Sequence, residues 1–538
     1  MLGLTLRLLG LDSNPISLFG DEVDVGYHAY SLLKTGRDYY GQFLPTYIHS
    51  LSEWRAPLLM YITIPSIAIF GLNEWGVRIP SVLFGSLSII IMYLLTKLTT
   101  KNRRVALFAA FLLAITPWHI HYSRTGFEVS LLLFLILTGT YSLIEGLNNH
   151  KWLTVGSISF TLTLYTYSTA IVFTPLFILF VLFINLGKIK QIKVSRLFVP
   201  GIVFLAGLLP ILFNIIWGQA ALRFNQNSIF ANPSTIEKID KFRQEGKLLS
   251  FEKYFHNKPL SLGKNLLGNY FISFSPQFLF IDGDPIFRHS IHEMGELYWT
   301  FLPLILIGII ICIQKPRDHL VWFFWLLLSP LPASLTNDAA HATRLFIMVP
   351  PLVYFSSVGL VKIWNNRRLI GVLVICFLLI ELSFYQERYW DHYRFESWRW
   401  WHMGYKEIMV SLNEIQDKYQ RIFINNTYEP SLTRFLFWTK YDPHEFQDRF
   451  TSDKPTDNIL DNFNGFTLGK IYFGTVKKNG TVPQFVKPGD LYLVSQRDEV
   501  GGDWDWRTTP PKEIKVIKTV TNPYDQPIFY LVTANGNK

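Results

Sequence analysis

The sequence has little charge and almost no cysteine. Only 17% of its 538 residues are charged, and its two cysteines are Cys312 and Cys376. A soluble domain usually carries about 25% charged residues, so an ordinary soluble fold is disfavoured. Both cysteines lie inside apolar runs, so a fold held together by disulfide bonds is disfavoured as well.

Long apolar runs are what the sequence has in abundance, since 49% of its residues are hydrophobic and 16% are aromatic. Runs near the roughly 20 residues that a membrane-spanning helix needs recur through the first 384 residues. We predict spans at 75–99, 105–120, 128–146, 152–167, 169–186, 197–217, 298–313, 319–336, 344–361 and 369–384. The runs at 152–167 and 169–186 are predicted as two helices joined by "TYST", because a single helix of their combined length would exceed one bilayer.

Lysine and arginine are concentrated in alternate loops between these runs. The clusters are "KNRR" (101–104), "KIKQIKVSR" (188–196), "KPR" (315–317) and "NNRR" (365–368), and Lys151 joins them. Basic residues accumulate in the cytoplasmic loops of membrane proteins, so this side is predicted to be cytoplasmic and the other loops extracytoplasmic. The net charge of +10 is thereby explained by membrane topology and predicts no nucleic-acid partner.

The first eleven residues, "MLGLTLRLLGL", are too short to span a bilayer. They also lack the basic start, long apolar stretch and cleavage site of a signal peptide. We interpret them as the second half of a truncated first span, with a half-helix or an interfacial segment as the alternative. The next loop holds two helical stretches, "VGYHAYSLLKTG" and "APLLMYITIPSIAIFG", that suit helices lying in the membrane interface.

The composition changes after residue 384. "YQERYWDHYRFESWRWWHMGY" (385–405) is an aromatic and charged belt of the kind found where a chain leaves the bilayer. Helical stretches then alternate with short strands such as "RIFINN", "KIYFGTV", "DLYLVS", "IKVIKTV" and "PIFYLV". We therefore predict a transmembrane domain over 1–384, and a linker with a small extracytoplasmic α/β domain over 385–538. The α/β domain contains no phosphate-binding loop and no metal-ligand spacing.

Acidic residues are dense beside the first helix of the outer loop. In "LFGDEVDVGYHAYSLLKTG", Asp21 and Glu22 follow Gly20 directly. Acids are favoured at helix N-termini by the dipole and by the free N–H groups, so capping the helix explains the pair without any further role. The alternative is a catalytic site at the outer membrane surface.

Other ionisable residues on the same side of the membrane favour a site. The candidates are Glu53, Arg55, Arg124, Glu128, Asp282, Asp284, Arg288, His289, His341 and Arg344. Ionisable groups at the ends of spans are costly and usually line a cavity. Arginines suit an anionic headgroup, and a carboxylate suits a base for a reacting hydroxyl or amine. A lipid-linked phosphosugar has this chemistry, because its phosphate meets the cations while its sugar faces outward.

Each of these residues also has a structural interpretation. Glu53 and Arg55 could pair with each other, and Arg124 could reach lipid phosphates. Asp282 and Asp284 flank a glycine and precede a proline, which a turn would explain. Arg288 and His289 could be solvated loop residues, and His341 and Arg344 could anchor a helix start.

The chain resembles the GT-C superfamily of polytopic glycosyltransferases, in the group of protein O-mannosyltransferases and lipid A aminoarabinose transferases. The resemblance rests on "GDE" (20–22), "GYHAYSLLKTGRDYYGQFLP" (26–45), "EWRAPLLMYITIPSIAIFG" (53–71), "VRIPS" (77–81) and "YSRTGFE" (122–128). It implies a polytopic α-helical GT-C-like membrane protein of about ten to eleven spans, the first one truncated, with a C-terminal extracytoplasmic α/β domain.

The resemblance also implies roles for individual residues. Asp21 corresponds to the first acid of the family's Asp-Glu motif, the expected general base, and Glu22 would assist or orient it. Arg55 stands where relatives have a basic residue before a Pro-Pro pair, although Ala56 replaces the first proline here. Arg124 lies where relatives contact the donor phosphate, and Glu128 is the acid of that loop.

The resemblance favours an inverting glycosyltransferase of the cell membrane, with its active site outside the cytosol. Its donor would be a polyprenyl-phosphate sugar, and its acceptor a protein, glycan or lipid. No obligatory metal is predicted, although some superfamily members need a divalent ion. A transporter or flippase would favour acids near the midplane and an internal repeat, and neither is evident. A polymerase or ligase of lipid-linked glycans leaves the Asp-Glu loop and the appended α/β domain unexplained, and a membrane scaffold leaves the clustered charges unexplained.

Overall fold

Helices dominate the first 387 residues, and a mixed sheet follows. The computed structural model describes residues 1–51, 53–217, 228–231, 233–245, 251, 254–428, 430–450, 454–476 and 481–536. Part of the predicted outer loop 218–297 lies outside these ranges. The chain forms two compact units, which are described one at a time.

Nineteen main helices are found in the described residues. In chain order they are α1 (Leu2–Leu8), α2 (Gly20–Thr35), α3 (Leu58–Phe70), α4 (Glu74–Thr100), α5 (Arg103–Ile115), α6 (Pro117–Tyr122), α7 (Val129–Gly146), α8 (Lys151–Leu164), α9 (Thr169–Ile184), α10 (Val194–Ile216), α11 (Pro233–Glu245), α12 (Lys258–Ile272), α13 (Phe301–Ile313), α14 (Leu320–Leu328), α15 (Val349–Asn366), α16 (Arg368–Glu387), α17 (Tyr405–Ile415), α18 (Leu432–Trp438) and α19 (Pro443–Arg449). The strands are β1 (Ile48–Ser50), β2 (Glu53–Arg55), β3 (Arg421–Asn425), β4 (Thr456–Leu460), β5 (Phe463–Leu468), β6 (Ile471–Val476), β7 (Asp490–Ser495), β8 (Ile514–Thr521) and β9 (Pro527–Ala534).

The first unit consists of Met1–Leu9, Trp54–Leu59 and Ser81–Tyr389. Among the described residues, five helices are long and apolar enough to cross a membrane, namely Glu74–Thr100, Val129–Gly146, Val194–Asn214, Ala342–Asn366 and Arg368–Glu396. Helices α3, α9 and α13 are shorter and also apolar. The predicted break between 152–167 and 169–186 is confirmed, because α8 ends at Leu164 and α9 begins at Thr169.

Helices α13 and α15 pack closely because glycines face each other's backbone. A Cβ on Gly308 would lie 1.9 Å from the carbonyl oxygen of Phe355. A Cβ on Gly359 would lie 2.2 Å from that of Leu304. Small residues at such crossings let membrane helices approach until their backbones touch.

Arg7 interrupts the apolar run of α1 and is fully buried in the first unit. Its Nη1 donates to the carbonyl oxygens of Gly3 (2.6 Å) and Ala114 (3.1 Å), and its Nη2 lies 2.6 Å from Nδ1 of His119. These partners satisfy most of a guanidinium that would otherwise be costly to remove from water.

The second unit consists of Gly10–Glu53, Met60–Pro80 and Trp390–Lys538. Its seven strands are ordered β4-β5-β6-β3-β7-β9-β8, with β3 parallel to both β6 and β7 and the other pairs antiparallel. The five strands predicted from the sequence are confirmed. Strands β4 and β5 were not predicted, because "TDNILDNFNGFTL" is rich in Asp, Asn and Gly, which are depleted in strands.

The central strand β3 alternates between two apolar cores. Ile422 and Ile424 face a core shared with helices α2, α17 and α18, whereas Phe423 faces a second core on the opposite side of the sheet. This alternation is the two-residue period of a strand that is covered on both faces. Helix α2 packs against α18 and α19, so the acidic helix of the first loop is part of this unit.

Gly26 sets the distance between α2 and α18. A Cβ at this position would lie 2.5 Å from the Phe437 ring and 2.8 Å from Val77. We expect Gly26→Val to destabilise the protein by about 1–3 kcal/mol, because extra methyl groups in a packed core force side chains and backbone apart. Thermal unfolding of the purified protein in detergent measures this loss.

Gly263 provides the matched control for that substitution. It also lies inside a helix, α12, but a Cβ there would meet no atom within 4 Å. Gly263→Val should therefore leave the unfolding midpoint close to that of the unchanged protein. Equal destabilisation by the two substitutions would contradict the proposed packing at Gly26.

Candidate functional site

Asp21 and Glu22 occupy the first turn of α2, in the second unit. The backbone N–H of Phe19, which precedes the helix, donates to Oε2 of Glu22 at 3.0 Å. This is the acidic half of a capping box. Glu22 is fully buried, whereas Asp21 is half-buried. The structure thus gives Glu22 a capping role, and Asp21 is the more accessible of the two acids.

Arg78 holds Glu22 through a buried two-point ion pair. Its Nε donates to Oε1 of Glu22 at 2.9 Å, and its Nη2 donates to Oε2 at 3.2 Å. Neither side chain is exposed. The planar guanidinium matches a carboxylate with two parallel hydrogen bonds, which a lysine could not provide.

The remaining donors of Arg78 bind the loop before α2. Nη1 donates to the carbonyl oxygens of Leu11 (2.8 Å) and Pro15 (3.0 Å), and Nη2 donates to that of Ser17 (2.5 Å). All five N–H groups of this guanidinium therefore have acceptors. Arg78 fastens the loop 11–17 and the start of α2 to the N-terminal part of α4, and so fixes the backbone that carries Asp21.

One turn further along α2, Asp24 is buried in a second polar network. Its carboxylate accepts hydrogen bonds from the hydroxyls of Ser50 (2.6 Å) and Tyr39 (3.2 Å). His28 lies against it, with Nε2 3.2 Å from Oγ of Ser50 and its ring stacked on Tyr39. Asp24 and His28 are thus engaged in holding the loop after α2. Glu53 also belongs to this unit and is half-buried.

The first unit gathers several of the predicted residues at the N-terminal side of α13 and before α15. Asp284, His289 and His341 lie together with Tyr122 and Glu296, a group that we call the histidine–carboxylate cluster. Oδ2 of Asp284 accepts from the backbone N–H of Ala342 at 2.8 Å and lies 4.0 Å from Nδ1 of His341. The rings of His289 and His341 are 4.6 Å apart.

Hydroxyl groups complete the histidine–carboxylate cluster. The Tyr122 hydroxyl lies 3.0 Å from Nδ1 of His289 and 2.7 Å from Oγ1 of Thr343. Oε1 of Glu296 accepts from the backbone N–H of Asp284 at 3.2 Å. These contacts join two separate stretches, 284–296 and 341–343, to the end of α6.

Burial makes the groups of this cluster favour their neutral forms. It raises the pKa of Asp284 to about 6, although hydrogen bonds from Ala342 and Ile286 oppose the shift. Burial also raises the pKa of Glu296 well above its usual range. The pKa of His341 falls to about 3, through burial and then through Arg344, and burial holds the pKa of His289 well below its usual range. Both imidazoles are therefore uncharged at neutral pH.

The permanent cations beside the cluster are Arg288 and Arg344. Nη2 of Arg288 lies 3.3 Å from Nε2 of His289. Nη1 of Arg344 donates to Oδ1 of Asp338 at 2.6 Å and to Oγ1 of Thr336 at 2.8 Å. Positive charge near the cluster thus comes from guanidinium groups, while the histidines act as neutral hydrogen-bond partners.

The other predicted residues of the first unit have separate surroundings. Arg124 is fully buried, and it donates to the Tyr389 hydroxyl (3.1 Å) and to the carbonyl oxygen of Leu6 (3.0 Å). Glu128 precedes α7 and is half-buried, and Arg55 is 7% exposed. Asp282 is exposed and accepts from the side chain of Gln277.

Several buried polar residues were not assigned a role from the sequence. They are Asp24, Arg78, Tyr122 and Glu296. Arg78 lies inside the quoted motif "VRIPS", two residues before Pro80 in an apolar helix. A charged residue at such a position was the signal that could have indicated a buried role. Glu296 carries no such signal, because only the folded chain places it beside Asp284. Among the described residues, no three or more His, Cys, Asp or Glu side chains form a group that could hold a metal ion.

Sequence comparisons relate part of the chain to a mannosyltransferase family model and to two proteins of Bacillus subtilis. Residues 54–217 match the family model described as dolichyl-phosphate-mannose-protein mannosyltransferase. YkcB of Bacillus subtilis (strain 168), which is provisionally named a mannosyltransferase, is 35% identical over 101 residues, 18% of this chain and 14% of YkcB. YycA of the same strain, named in the same way, is 28% identical over 176 residues, 32% of this chain and 24% of YycA. The matched segments thus span a quarter or less of these relatives.

The fold extends the similarity over the whole chain. ArnT from Cupriavidus metallidurans superposes with a TM-score of 0.53 in its apo crystal structure, at 11% sequence identity, over 98% of this chain and 96% of ArnT. Its crystal structure bound to undecaprenyl phosphate gives a TM-score of 0.50 over the same shares. The likeness to ArnT supports a helical membrane fold with a C-terminal sheet. Together with the family-model match of residues 54–217, it confirms the predicted resemblance to the GT-C glycosyltransferases.

The buried Glu22–Arg78 pair predicts a large loss of stability when one partner is removed. Glu22→Gln leaves the guanidinium buried without its counter-charge, which typically costs about 3–5 kcal/mol. Unfolding by heat in detergent should show this loss in the variant.

An exposed pair provides the control for that loss. On α11, Nζ of Lys241 lies 3.7 Å from Oε1 of Glu245, and both side chains are more than half exposed. Glu245→Gln should cost less than about 1 kcal/mol, because water screens such pairs. If Glu22→Gln costs no more than Glu245→Gln, the clamp assigned to Arg78 is wrong.

Asp284 predicts a pH dependence of stability. Because its folded-state pKa of about 6 exceeds the ordinary value of 3.8, folding favours the protonated carboxyl. Its contribution is fully present below about pH 4 and is lost as the pH rises through 6, by at most about 3 kcal/mol. Asp284→Asn should flatten the fall of the unfolding midpoint between pH 4.5 and 7. Asp282→Asn, which changes an exposed neighbour, should retain the original profile, and superimposable profiles for both variants would refute the assignment.

Proposed function

We propose that this chain is an inverting glycosyltransferase that moves a sugar from a polyprenyl-phosphate donor to an extracytoplasmic acceptor. The observation that carries the proposal is the likeness to ArnT over 98% of the chain. ArnT has been crystallised with undecaprenyl phosphate. The match of residues 54–217 to the mannosyltransferase family model supports the same class of activity.

The location of the reaction follows from the basic loops. The clusters at 101–104, 188–196, 315–317 and 365–368 are proposed to face the cytosol by the positive-inside rule. The first loop, with Asp21, then lies outside the cytosol in a multi-pass protein of the cell membrane. Nucleotide-activated sugars are not directly available there, whereas a polyprenyl tail keeps a sugar phosphate at the membrane surface.

Asp21 is proposed to be the general base. Its carboxylate would take the proton of the acceptor nucleophile as that nucleophile attacks the anomeric carbon. The bond between this carbon and the phosphate oxygen breaks in the same displacement, so the configuration inverts and polyprenyl phosphate leaves. Glu22 is proposed to position Asp21, because Arg78 and the N–H of Phe19 occupy its carboxylate.

The cations of the first unit are proposed to receive the donor phosphate. The histidines beside Arg288 and Arg344 are neutral. The two guanidinium groups therefore supply the positive charge at this place. Guanidinium groups stabilise the negative charge that develops on a departing phosphate. The other predicted contacts to substrate remain proposals, at Arg55, Arg124, Glu53, Glu128, Asp282, Asp284, His289 and His341. No obligatory metal ion is part of the proposal.

Substitution of the base is the direct test. Asp21→Asn should lower the rate of sugar transfer or donor hydrolysis by about 10²–10⁴-fold, the usual contribution of a general base. The purified protein would be incubated in detergent with polyprenyl-phosphate sugars, and both turnover and donor binding would be measured. Donor binding should survive the substitution.

Asp12 supplies the matched control, because it is an exposed carboxylate nine residues earlier in the chain. Asp12→Asn should retain full turnover. Unchanged turnover in Asp21→Asn would remove Asp21 from the mechanism. Movement of intact donor across vesicle membranes without any sugar release would instead identify a transporter of lipid-linked sugars.

A further inference from the structure

The sheet of the second unit carries a cavity that the proposed reaction does not use. Its volume is about 250 Å³, and its walls include Trp398, Arg399, Tyr428, Gln496 and Arg497. Tyr428 follows β3, and Gln496 and Arg497 follow β7, the strand paired in parallel with β3. The cavity thus lies at the carboxyl ends of two parallel strands, where open α/β sheets bind their ligands.

An arginine lies over each of two aromatic rings in this cavity. The guanidinium carbon of Arg497 lies 4.3 Å from the centroid of the Tyr428 ring, and that of Arg399 lies 5.1 Å from the Trp398 ring. Both rings are half-buried and both arginines are exposed. Flat apolar surfaces are therefore placed next to permanent positive charge.

The position of Arg497 is determined by groups beneath it. Its Nε and Nη2 donate to the Asp498 carboxylate at 2.7 and 3.1 Å. Asp498 in turn accepts from the hydroxyl of Thr427, which is also paired with Ser495 at 2.6 Å. This chain of hydrogen bonds holds the guanidinium edge that faces Asp498, whereas no described residue accepts a hydrogen bond from its Nη1 group.

Gln496 adds a polar group that has an unused acceptor. Its side-chain nitrogen donates to the carbonyl oxygen of Trp504 at 2.8 Å. Its side-chain oxygen is buried and has no hydrogen-bond partner among the described residues. A buried acceptor without a donor is costly, so a hydroxyl-bearing ligand in the cavity would stabilise this arrangement.

We infer that this cavity binds an anionic saccharide. The Trp398 ring can accept the C–H surface of a sugar ring, an orphaned amide oxygen accepts a hydroxyl, and arginines pair with a carboxylate or phosphate. A purely apolar ligand would leave the guanidinium groups desolvated, and a bare anion would leave the Trp398 ring unused. That the saccharide is the acceptor, or a glycan attached to it, rests on the proposed function.

Binding to the whole 538-residue chain in detergent tests the inference without any turnover. The probes are tetragalacturonate and glucose 6-phosphate as anionic saccharides, maltotetraose as a neutral one, and inorganic phosphate as a bare anion. We expect at least one anionic saccharide to bind, and its affinity to fall at least tenfold in Trp398→Ala and in Arg497→Gln. The two anionic probes distinguish a carboxylate from a phosphate as the recognised charge.

Neighbouring residues outside the cavity supply the controls. Trp400→Ala removes an exposed tryptophan two residues away, and Arg507→Gln removes an arginine paired with Asp505 and Asp525. Both should bind as the unchanged protein does. Arg497→Gln changes an exposed side chain, so it tests the cavity even if Trp398→Ala fails to fold.

The inference would be overturned by equal affinity for maltotetraose, by binding of inorganic phosphate alone, or by a loss of affinity in the controls as large as in the cavity variants. Absence of binding by every probe would overturn it as well. The same binding measurement is repeated in Asp21→Asn, where saccharide binding should persist. Because binding tests the cavity and turnover tests Asp21, failure of one proposal can be distinguished from failure of the other.

Discussion

The contact between Arg78 and Glu22 is the constraint on which the geometry of the acidic helix depends. One guanidinium satisfies a carboxylate and three backbone carbonyls at once. The three carbonyls belong to the loop 11–17, and the carboxylate lies in the first turn of α2. Removing Arg78 would leave several buried polar groups unsatisfied together, which is more costly than losing a single hydrogen bond.

The two units handle buried charge in different ways. In the second unit, the Glu22 carboxylate is paired with the Arg78 guanidinium and also accepts from the backbone N–H of Phe19. In the first unit, the histidine–carboxylate cluster has few such partners, and burial drives Asp284, Glu296, His289 and His341 toward neutral forms. The positive charge beside this cluster comes from Arg288 and Arg344, because a guanidinium group keeps its proton in proteins.

The sheet of the second unit is closely integrated with the acidic helix. Helix α2 contributes to the same core as α17, α18 and one face of the sheet, so a change at Gly26 or Phe437 acts on the backbone near Asp21. The carboxyl ends of β3 and β7 offer a separate cavity lined by aromatic and basic side chains. A sheet joined to the acidic helix in this way can recognise a glycan while it supports the start of α2.

The sequence alone determined the helical architecture, because apolar length and the spacing of basic loops are local properties. The break near residue 166, a helix over 25–36 and five of the strands were readable in this way, and the structure extends that helix back to Gly20. Strands β4 and β5 were not, since their residues have weak strand propensity and pairing with β6 decides their conformation. The grouping of the first loop with the C-terminal sheet is likewise a property of the folded chain.

The same distinction applies to the site. The pattern of residues marked Asp21, Glu22, Asp284, His289 and Arg344 as candidates, because acids and cations at the ends of apolar runs are costly. Only the tertiary structure decided that Arg78 occupies the Glu22 carboxylate, that Glu296 lies beside Asp284, and that Trp398 and Arg497 share a cavity. The partners in each case are separated by between 12 and 99 positions in the chain. Packing between residues far apart in the chain decides which donor each buried acceptor binds. A local sequence pattern therefore cannot predict these partners.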